Sequence, residues 1–273
     1  MDITLAYFSP TGTTRRVLAS IARGMEGKSV THLDLTLPET EPRARLTLSG
    51  GLTVLGAPVY AGRIPAAAVA RFCHLQGHRT PAALVVVYGN RAFEDALVEL
   101  ADIAVARGCV PLAGAAFIGE HSYATAETPI ATGRPDTEDL ARAQAFGRAV
   151  WAALESVKTL DGLSPPEFPG NRPYRQGMRP SEVCPVTYEE LCTRCGDCAR
   201  VCPVGAVTLT DSVYTDGADC ILCCACVKAC PTGARVMADE GIRRTARWLA
   251  TDHTERRDPE LFLPLQPPTQ SKN

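Results

Sequence analysis

Over residues 1–158, short apolar runs alternate with stretches whose apolar positions recur every three or four residues. The runs are Ile3–Phe8, Val30–Leu35, Thr53–Gly56, Leu84–Val87 and Leu112–Ile118. Most are near-continuous, the pattern of strands covered on both faces. Between them, Val17, Leu18, Ile21, Ala22 and Met25 share one helical face, with Gly27 as a stop. Phe93, Ala96, Leu97, Leu100, Ile103 and Ala104 mark a second helix ending at Gly108, and Leu140, Phe146, Val150, Ala153, Leu154 and Val157 a third. Five strands alternating with helices predict a doubly wound parallel sheet.

The pattern changes after residue 158. Residues 159–185 hold six prolines, at 165, 166, 169, 173, 180 and 185, and no net charge, so they read as a stiff linker. Residues 186–240 hold an internal repeat, and residues 241–273 open with a helix from Ile242 to about Glu255 whose apolar face is Ile242, Ala246, Leu249 and Ala250. The end, Leu263 to Pro268, is expected to be extended or frayed. The expected division is therefore an α/β module at 1–158, a linker at 159–185, a small module at 186–240 and a helix with tail at 241–273.

Composition narrows the classes. The 28 Lys and Arg against 30 Asp and Glu give a net charge of −2, which removes the electrostatic case for binding nucleic acid or an anionic membrane. No run of apolar residues is long enough to span a bilayer. Met1 leads directly into the first apolar run without a charged leader or cleavage site, so a cytoplasmic protein is expected. Ten of the 12 cysteines lie between positions 184 and 230. In a reducing compartment that density points to metal or redox chemistry rather than disulfides. Cys73 and Cys109 stand apart and read as core residues.

The repeat is a cysteine motif. Cys192, Cys195, Cys198, Cys202, Pro203, Gly205 and Ala206 recur 28 residues later as Cys220, Cys223, Cys226, Cys230, Pro231, Gly233 and Ala234. Each half reads C-x2-C-x2-C-x3-C-P, which differs from zinc sites built on two C-x2-C pairs with a longer spacer. The motif resembles the bacterial two-[4Fe–4S] ferredoxin family over about 55 residues. That resemblance implies two [4Fe–4S] clusters in a small α+β ferredoxin-like domain with crossed fourth ligands: Cys192, Cys195, Cys198 and Cys230 on one, Cys220, Cys223, Cys226 and Cys202 on the other. Cys224 departs from it, standing where the first half has Gly196. It reads either as a small buried residue or as an alternative ligand. The module carries eight acids and four bases, and two clusters at −2 each bring it to about −8. Redox-partner proteins with a basic docking face are expected, and a homo-oligomer is left open. A redox-sensing role for Cys184 or Cys224 ranks below electron transfer.

The first run is followed by Ser9-Pro10-Thr11-Gly12-Thr13-Thr14 and then a helix. Hydroxyls, a glycine and a helix start make an anion site. No Walker lysine and no G-x-G-x-x-G is present, so a lone phosphate fits better than a nucleotide polyphosphate or a dinucleotide; the plain alternative is a hydroxyl-rich helix cap. The pattern [ST]-x-T-G-x-T after a first strand resembles the flavodoxin family. The resemblance implies FMN, with Ser9, Thr11, Gly12, Thr13 and Thr14 at its phosphate. It places Pro58, Val59, Tyr60, Ala61 and Gly62 on one flavin loop and Tyr88, Gly89 and Asn90 on the other. Tyr60 would stack on the ring, and the Ala61 and Gly62 N–H groups would reach N5 or O4. His121, in Gly119-Glu120-His121-Ser122-Tyr123 after the fifth run, is either a proton donor on the ligand side or a surface histidine.

As a whole the chain resembles fused flavodoxin–ferredoxin electron-transfer proteins. The implied fold is α/β, a flavodoxin-like five-stranded parallel sheet followed by the ferredoxin-like domain. The implied function is passage of low-potential electrons between FMN, two [4Fe–4S] clusters and external partners, the alternative being an FMN-dependent reductase of a small molecule.

Overall fold

The computed structural model describes residues 2–38, 45–48, 51–156, 159–160, 165–179 and 181–263. Its elements in order are β1 (Ile3–Tyr7), α1 (Thr13–Arg23), β2 (Val30–Asp34), β3 (Leu46–Thr47), β4 (Leu52–Pro58), α2 (Ala66–Phe72), β5 (Leu75–Gln76), β6 (Thr80–Tyr88), α3 (Ala96–Ala106), β7 (Cys109–Ile118) and α4 (Thr137–Glu155). They continue with β8 (Val186–Thr187), α5 (Asp197–Arg200), β9 (Val207–Leu209), β10 (Val213–Thr215), α6 (Ala225–Lys228), β11 (Arg235–Val236), α7 (Glu240–Asp252) and β12 (Glu260–Phe262).

The main sheet runs β12-β7-β6-β4-β1-β2. Its five strands from the α/β module are parallel, in the doubly wound order of flavodoxin-like sheets. The period-2 alternation of each strand builds two cores at once. Ile3, Leu5, Tyr7, Ala83, Val85 and Val87 face α1 and α4, packing on Leu18, Ile21, Phe146 and Trp151. Ala6, Phe8, Ala82, Leu84, Val86 and Tyr88 face α2 and α3, packing on Phe72, Leu97 and Leu100. Strands buried on both sides need no polar face, hence the near-continuous apolar runs. β2 is the exception, exposed at four of five positions, because it is the free edge.

The cysteine module consists of two antiparallel pairs, β9 with β10 and β8 with β11, plus the one-turn helices α5 and α6. Each helix starts at a left-handed residue, Gly196 (φ 78°) and Cys224 (φ 54°) respectively.

The proline-rich segment is not a free spacer. Residues 165–179 run along α3, where Asn171 donates to Asp95 Oδ1 through its backbone N–H (2.8 Å) and Nδ2 (3.0 Å). The Arg175 N–H donates to Asp95 Oδ2 (2.7 Å), and Arg172 grips Asp102 bidentately (2.9 and 2.7 Å). Tyr174 also donates to Asp102 and carries the Arg63 guanidinium over its ring at 4.5 Å. Arg63 in turn holds Glu99 through two 2.7 Å bonds. Proline stiffness lowers the cost of laying such a segment down, and the acids of α3 fix where it lies.

The tail likewise returns to the α/β module. β12 pairs antiparallel with β7, Glu260 opposite Ala116 and Phe262 opposite Gly114, and adds a sixth strand to the five expected. Phe262 meets Phe168 of the proline-rich segment edge to face at 6.4 Å. Upstream, Arg256 pairs with Asp136 (2.6 Å) and Glu138 (3.2 Å), and Arg134 donates to the Arg257 carbonyl (3.0 Å). The expected end of the third helix at Val157 and the expected extended stretch at 264–268 lie outside the described residues. Among the described residues no helix is long and apolar enough to cross a membrane.

Candidate functional site

The order of β2, β1 and β4 makes the chain reverse direction across the sheet between β1 and β4, and a crevice opens beyond the carboxyl ends of the strands there. It holds a cavity of about 330 Å³. One wall is Thr11 and Thr13 with the Pro58–Gly62 loop; another is Tyr88 and Gly89 with the 119–123 loop. The remaining wall comes from outside the α/β module: Ile221 and Leu222 between two cysteines of the repeat, Thr245, Trp248 and Leu249 of α7, and Met178 and Arg179 of the strapped segment.

Local geometry explains the loop at Tyr60. Tyr60 and Arg63 exchange two backbone hydrogen bonds (2.9 and 3.1 Å) around Ala61 (φ 50°) and Gly62 (φ 79°), a hairpin turn with two left-handed central residues. Gly62 is required there, because a Cβ would collide with the Glu94 carboxylate and lie 2.7 Å from Arg175 Cδ. Gly89 serves in the same way, since any side chain would run into the His121 ring.

The nucleotide-style loop sorts its hydroxyls. Thr11 and Thr13 face the cavity. Ser9 is turned inward, its Oγ accepting from the Arg15 N–H (3.1 Å) and its N–H donating to Thr36 (2.9 Å). Gly12 supplies the left-handed residue (φ 80°) from which α1 starts, and the first-turn N–H groups of that helix lack intrahelical acceptors. Thr14 is fully buried, and its Oγ1 has no hydrogen-bond partner. An orphaned hydroxyl beside a helix start fits a phosphate oxygen. Asn90 departs from its expected place on the flavin loop. Its buried side chain donates to the carbonyls of His253 (2.8 Å) and Glu255 (2.9 Å), so it anchors the tail instead of facing the cavity.

On the side of the cysteine module the cavity is hemmed in by aromatic side chains and thiols. Burial, then the neighbouring Cys223 and Cys224, hold the Tyr60 hydroxyl well above the usual phenol range. Burial likewise raises Tyr123. His121 is pushed down to about 4, first by burial and then by Lys228 and Arg91, so the imidazole is neutral at physiological pH. Its Nδ1 accepts from the Tyr123 N–H (3.0 Å), which leaves Nε2–H as a hydrogen-bond donor. His121 thus lines the ligand cavity, but as a fixed neutral donor and not as a stored acid. The Lys228–Glu120 ion pair at 2.6 Å ties α6 to the same loop.

Two further cavities lie in the cysteine module. The outer one is lined by Cys192, Cys195 and Cys198 together with Cys230, the inner one by Cys220, Cys223 and Cys226 together with Cys202. Each therefore draws three thiols from one half of the repeat and one from the other. Among the described residues no three His, Cys, Asp or Glu converge closely enough to hold a single metal ion. Four thiols spread around a cavity suit a larger group. Cys224 also touches the inner cavity. Burial pushes the Cys223 thiol up to about 12. Cys109 is buried as expected, whereas Cys73, closing α2, is exposed.

One buried residue was missed by motif reading. Arg235 lines the outer cavity, is 2% exposed, and donates to Thr187 Oγ1 and Thr215 Oγ1 (both 2.8 Å) and to the Cys226 sulfur (3.6 Å). The signal was available, since the repeat places Val207 in the equivalent position.

Residues 191–234 match the family described as a 4Fe-4S dicluster domain. No curated protein matches the chain. Among solved structures, the chain is similar to a flavodoxin from the domain Archaea (14% identity, TM-score 0.38, covering 57% of this chain and 99% of that one). It is similar too to rubredoxin oxygen:oxidoreductase from Desulfovibrio gigas (12%, 0.42, 57% and 36%) and to flavodoxin 2 from Bacillus cereus (15%, 0.41, 54% and 95%). These scores carry no weight of their own, and the fold rests on strand order and the two-sided core. The chain joins a flavodoxin-like α/β fold to a 4Fe–4S dicluster domain, a combination suited to electron transfer or redox activity.

Proposed function

We propose that this protein is an intramolecular electron relay between FMN, two [4Fe–4S] clusters and an external redox partner. Thr11, Thr13 and the start of α1 hold the FMN phosphate, with Thr14 behind them. The Tyr60 turn and the Tyr88–Gly89 loop flank the flavin, and His121 Nε2–H offers it a hydrogen bond. FMN supplies exchange of one or two electrons, against one at a time for each cluster. Cys220, Cys223, Cys226 and Cys202 ligate the inner cluster; Cys192, Cys195, Cys198 and Cys230 ligate the outer.

The observation that carries this reading is the shared wall. Ile221 lines both the inner thiol cavity and the sheet-edge cavity, and its neighbour Leu222 lines the latter, so an apolar side chain of the thiol loop stands between the two sites. The outer cluster then faces solvent and the partner, whose basic docking face would meet Glu189, Glu190 and Asp197. In the reductase alternative the proton would come from the Ser122 or Tyr123 hydroxyl at the same cavity, because His121 is held neutral.

Anaerobic purification should yield FMN together with about eight iron and eight sulfide per chain. In stopped-flow reduction, flavin and clusters should exchange electrons at a rate independent of protein concentration; a rate that scales with concentration would overturn the relay. The double substitution Thr11→Ala with Thr13→Ala should weaken flavin binding by roughly a hundredfold or more, from about 1.5–3 kcal/mol per contact to a charged acceptor. Unchanged flavin content would move the site elsewhere.

A further inference from the structure

Arg235 is a buried cation with no counter-ion among the described residues. Among the described residues no carboxylate lies within ion-pair distance of it, and its contacts are two hydroxyls and one thiol sulfur. Its Nε has no hydrogen-bond partner. Isolated buried charges are costly enough that proteins retain them only where something compensates. The guanidinium lies where compensation would come from two anions. The residue lines the outer thiol cavity, and its Nη2 donates to Cys226, a thiol of the inner one. The repeat makes the asymmetry plain. Val207, 28 residues earlier, lines the inner cavity in the equivalent position, so one half of the duplication offers an alkyl group where the other offers a positive charge.

We infer that Arg235 is the shared counter-charge of the two clusters and sets their reduction potentials. The inference rests on the cluster assignment above. An all-thiolate [4Fe–4S] cluster goes from −2 to −3 on accepting one electron, and no proton or bond change is needed. A fixed cation in a low-dielectric wall stabilises the more negative state more strongly. Hydrogen bonding to a ligand sulfur acts in the same direction. Arg235 therefore raises both potentials above what the Val207-like environment gives, and it damps the repulsion between two reduced clusters across their common wall. It positions charge and does not itself carry electrons.

The test is an equilibrium redox titration of the anaerobically purified full-length protein, followed by electron paramagnetic resonance, with iron and sulfide counted in every sample. In Arg235→Val, both clusters should be harder to reduce. At a fixed ambient potential near the original midpoint, the reduced-to-oxidised ratio should fall at least tenfold, about 59 mV for a one-electron couple. Arg235→Lys keeps the charge but loses the planar fork, and should recover most of that shift. Should Arg235→Val fail to load iron while Arg235→Lys loads fully, charge compensation is supported through assembly instead. Equal midpoints in the wild type and in a fully loaded Arg235→Val would overturn the proposal, as would failure of both variants to load. Absence of iron in the wild type would instead sink the cluster assignment itself, a result separable from any shift between variants.

Discussion

The outer and inner thiol cavities come from one motif used twice, and they sit in opposite surroundings. Around the outer cavity Cys195 is exposed, Cys192 and Cys230 are half-buried and only Cys198 is buried, against a single half-buried thiol, Cys220, around the inner one; Thr193 and Arg194 fill the space between the outer thiols. Around the inner cavity Cys202, Cys223 and Cys226 are all buried, and the residues 28 positions on from Thr193 and Arg194 are Ile221 and Leu222. Ligand spacing selects the kind of metal group, and the residues between the ligands decide whether water or protein lies against it. Where the duplication has diverged, it has done so at the positions that assign the two halves different neighbours: polar against the solvent, apolar against the sheet-edge cavity, and one arginine where the halves meet.

The largest effect should come from removing one crossed ligand from each side. Cys202→Ala should strip the inner cluster, although this residue is contiguous with the outer motif, and should abolish concentration-independent exchange with the flavin. Cys230→Ala should strip the outer cluster and leave that exchange intact. Iron content near half in both variants, with only the first losing the flavin phase, would fix the order of the relay. The reverse result would exchange the labels inner and outer.

A smaller effect sharpens the difference in hydration. His121 belongs to the inner side, half-buried, with its pKa lowered to about 4. Because the unfolded imidazole takes up its proton near pH 6.5, the stability due to the neutral half-buried ring is fully present above about 6.5 and declines as pH falls toward 4. His121→Gln should flatten that decline by an amount on the order of 1–3 kcal/mol, read from denaturant unfolding at pH 7 and pH 4.5. An unchanged pH profile would place the ring in water.

The smallest effect concerns Cys224, the left-handed counterpart of Gly196. Cys224→Gly relieves an unfavourable φ and loses a buried thiol, so stability should change by less than about 1 kcal/mol with full iron retained. Loss of a cluster in this variant would make Cys224 a ligand.

The motif, the five parallel strands and the position of the first loop were legible because each depends on short-range order: a fixed cysteine spacing, a near-continuous apolar run, a turn before a helix. The course of residues 165–179 was not. Asn171, Arg172 and Tyr174 have no periodicity, and their partners Asp95, Asp102 and Glu99 become neighbours only after α3 has packed on the sheet. The tail-anchoring role of Asn90 is hidden for the same reason, since its loop marks the right end of the sheet while its amide nitrogen answers to carbonyls more than 160 residues away. Cys73 was assigned to the core on residue type alone, yet it lies past the last buried turn of α2.

β12 has a consequence for how the molecule is made. The strand that finishes the main sheet is encoded after the whole cysteine module, so the ribosome releases α3, β7 and α4 while β7 still presents a bare row of amide and carbonyl groups. Such a row invites pairing with another chain. During that interval the nascent protein is most prone to stick to its copies, and cellular assembly of iron and sulfide into the module would sit on the same clock. A chain ending before Glu260 should then aggregate more readily than the full-length chain, because the edge of β7 would stay bare.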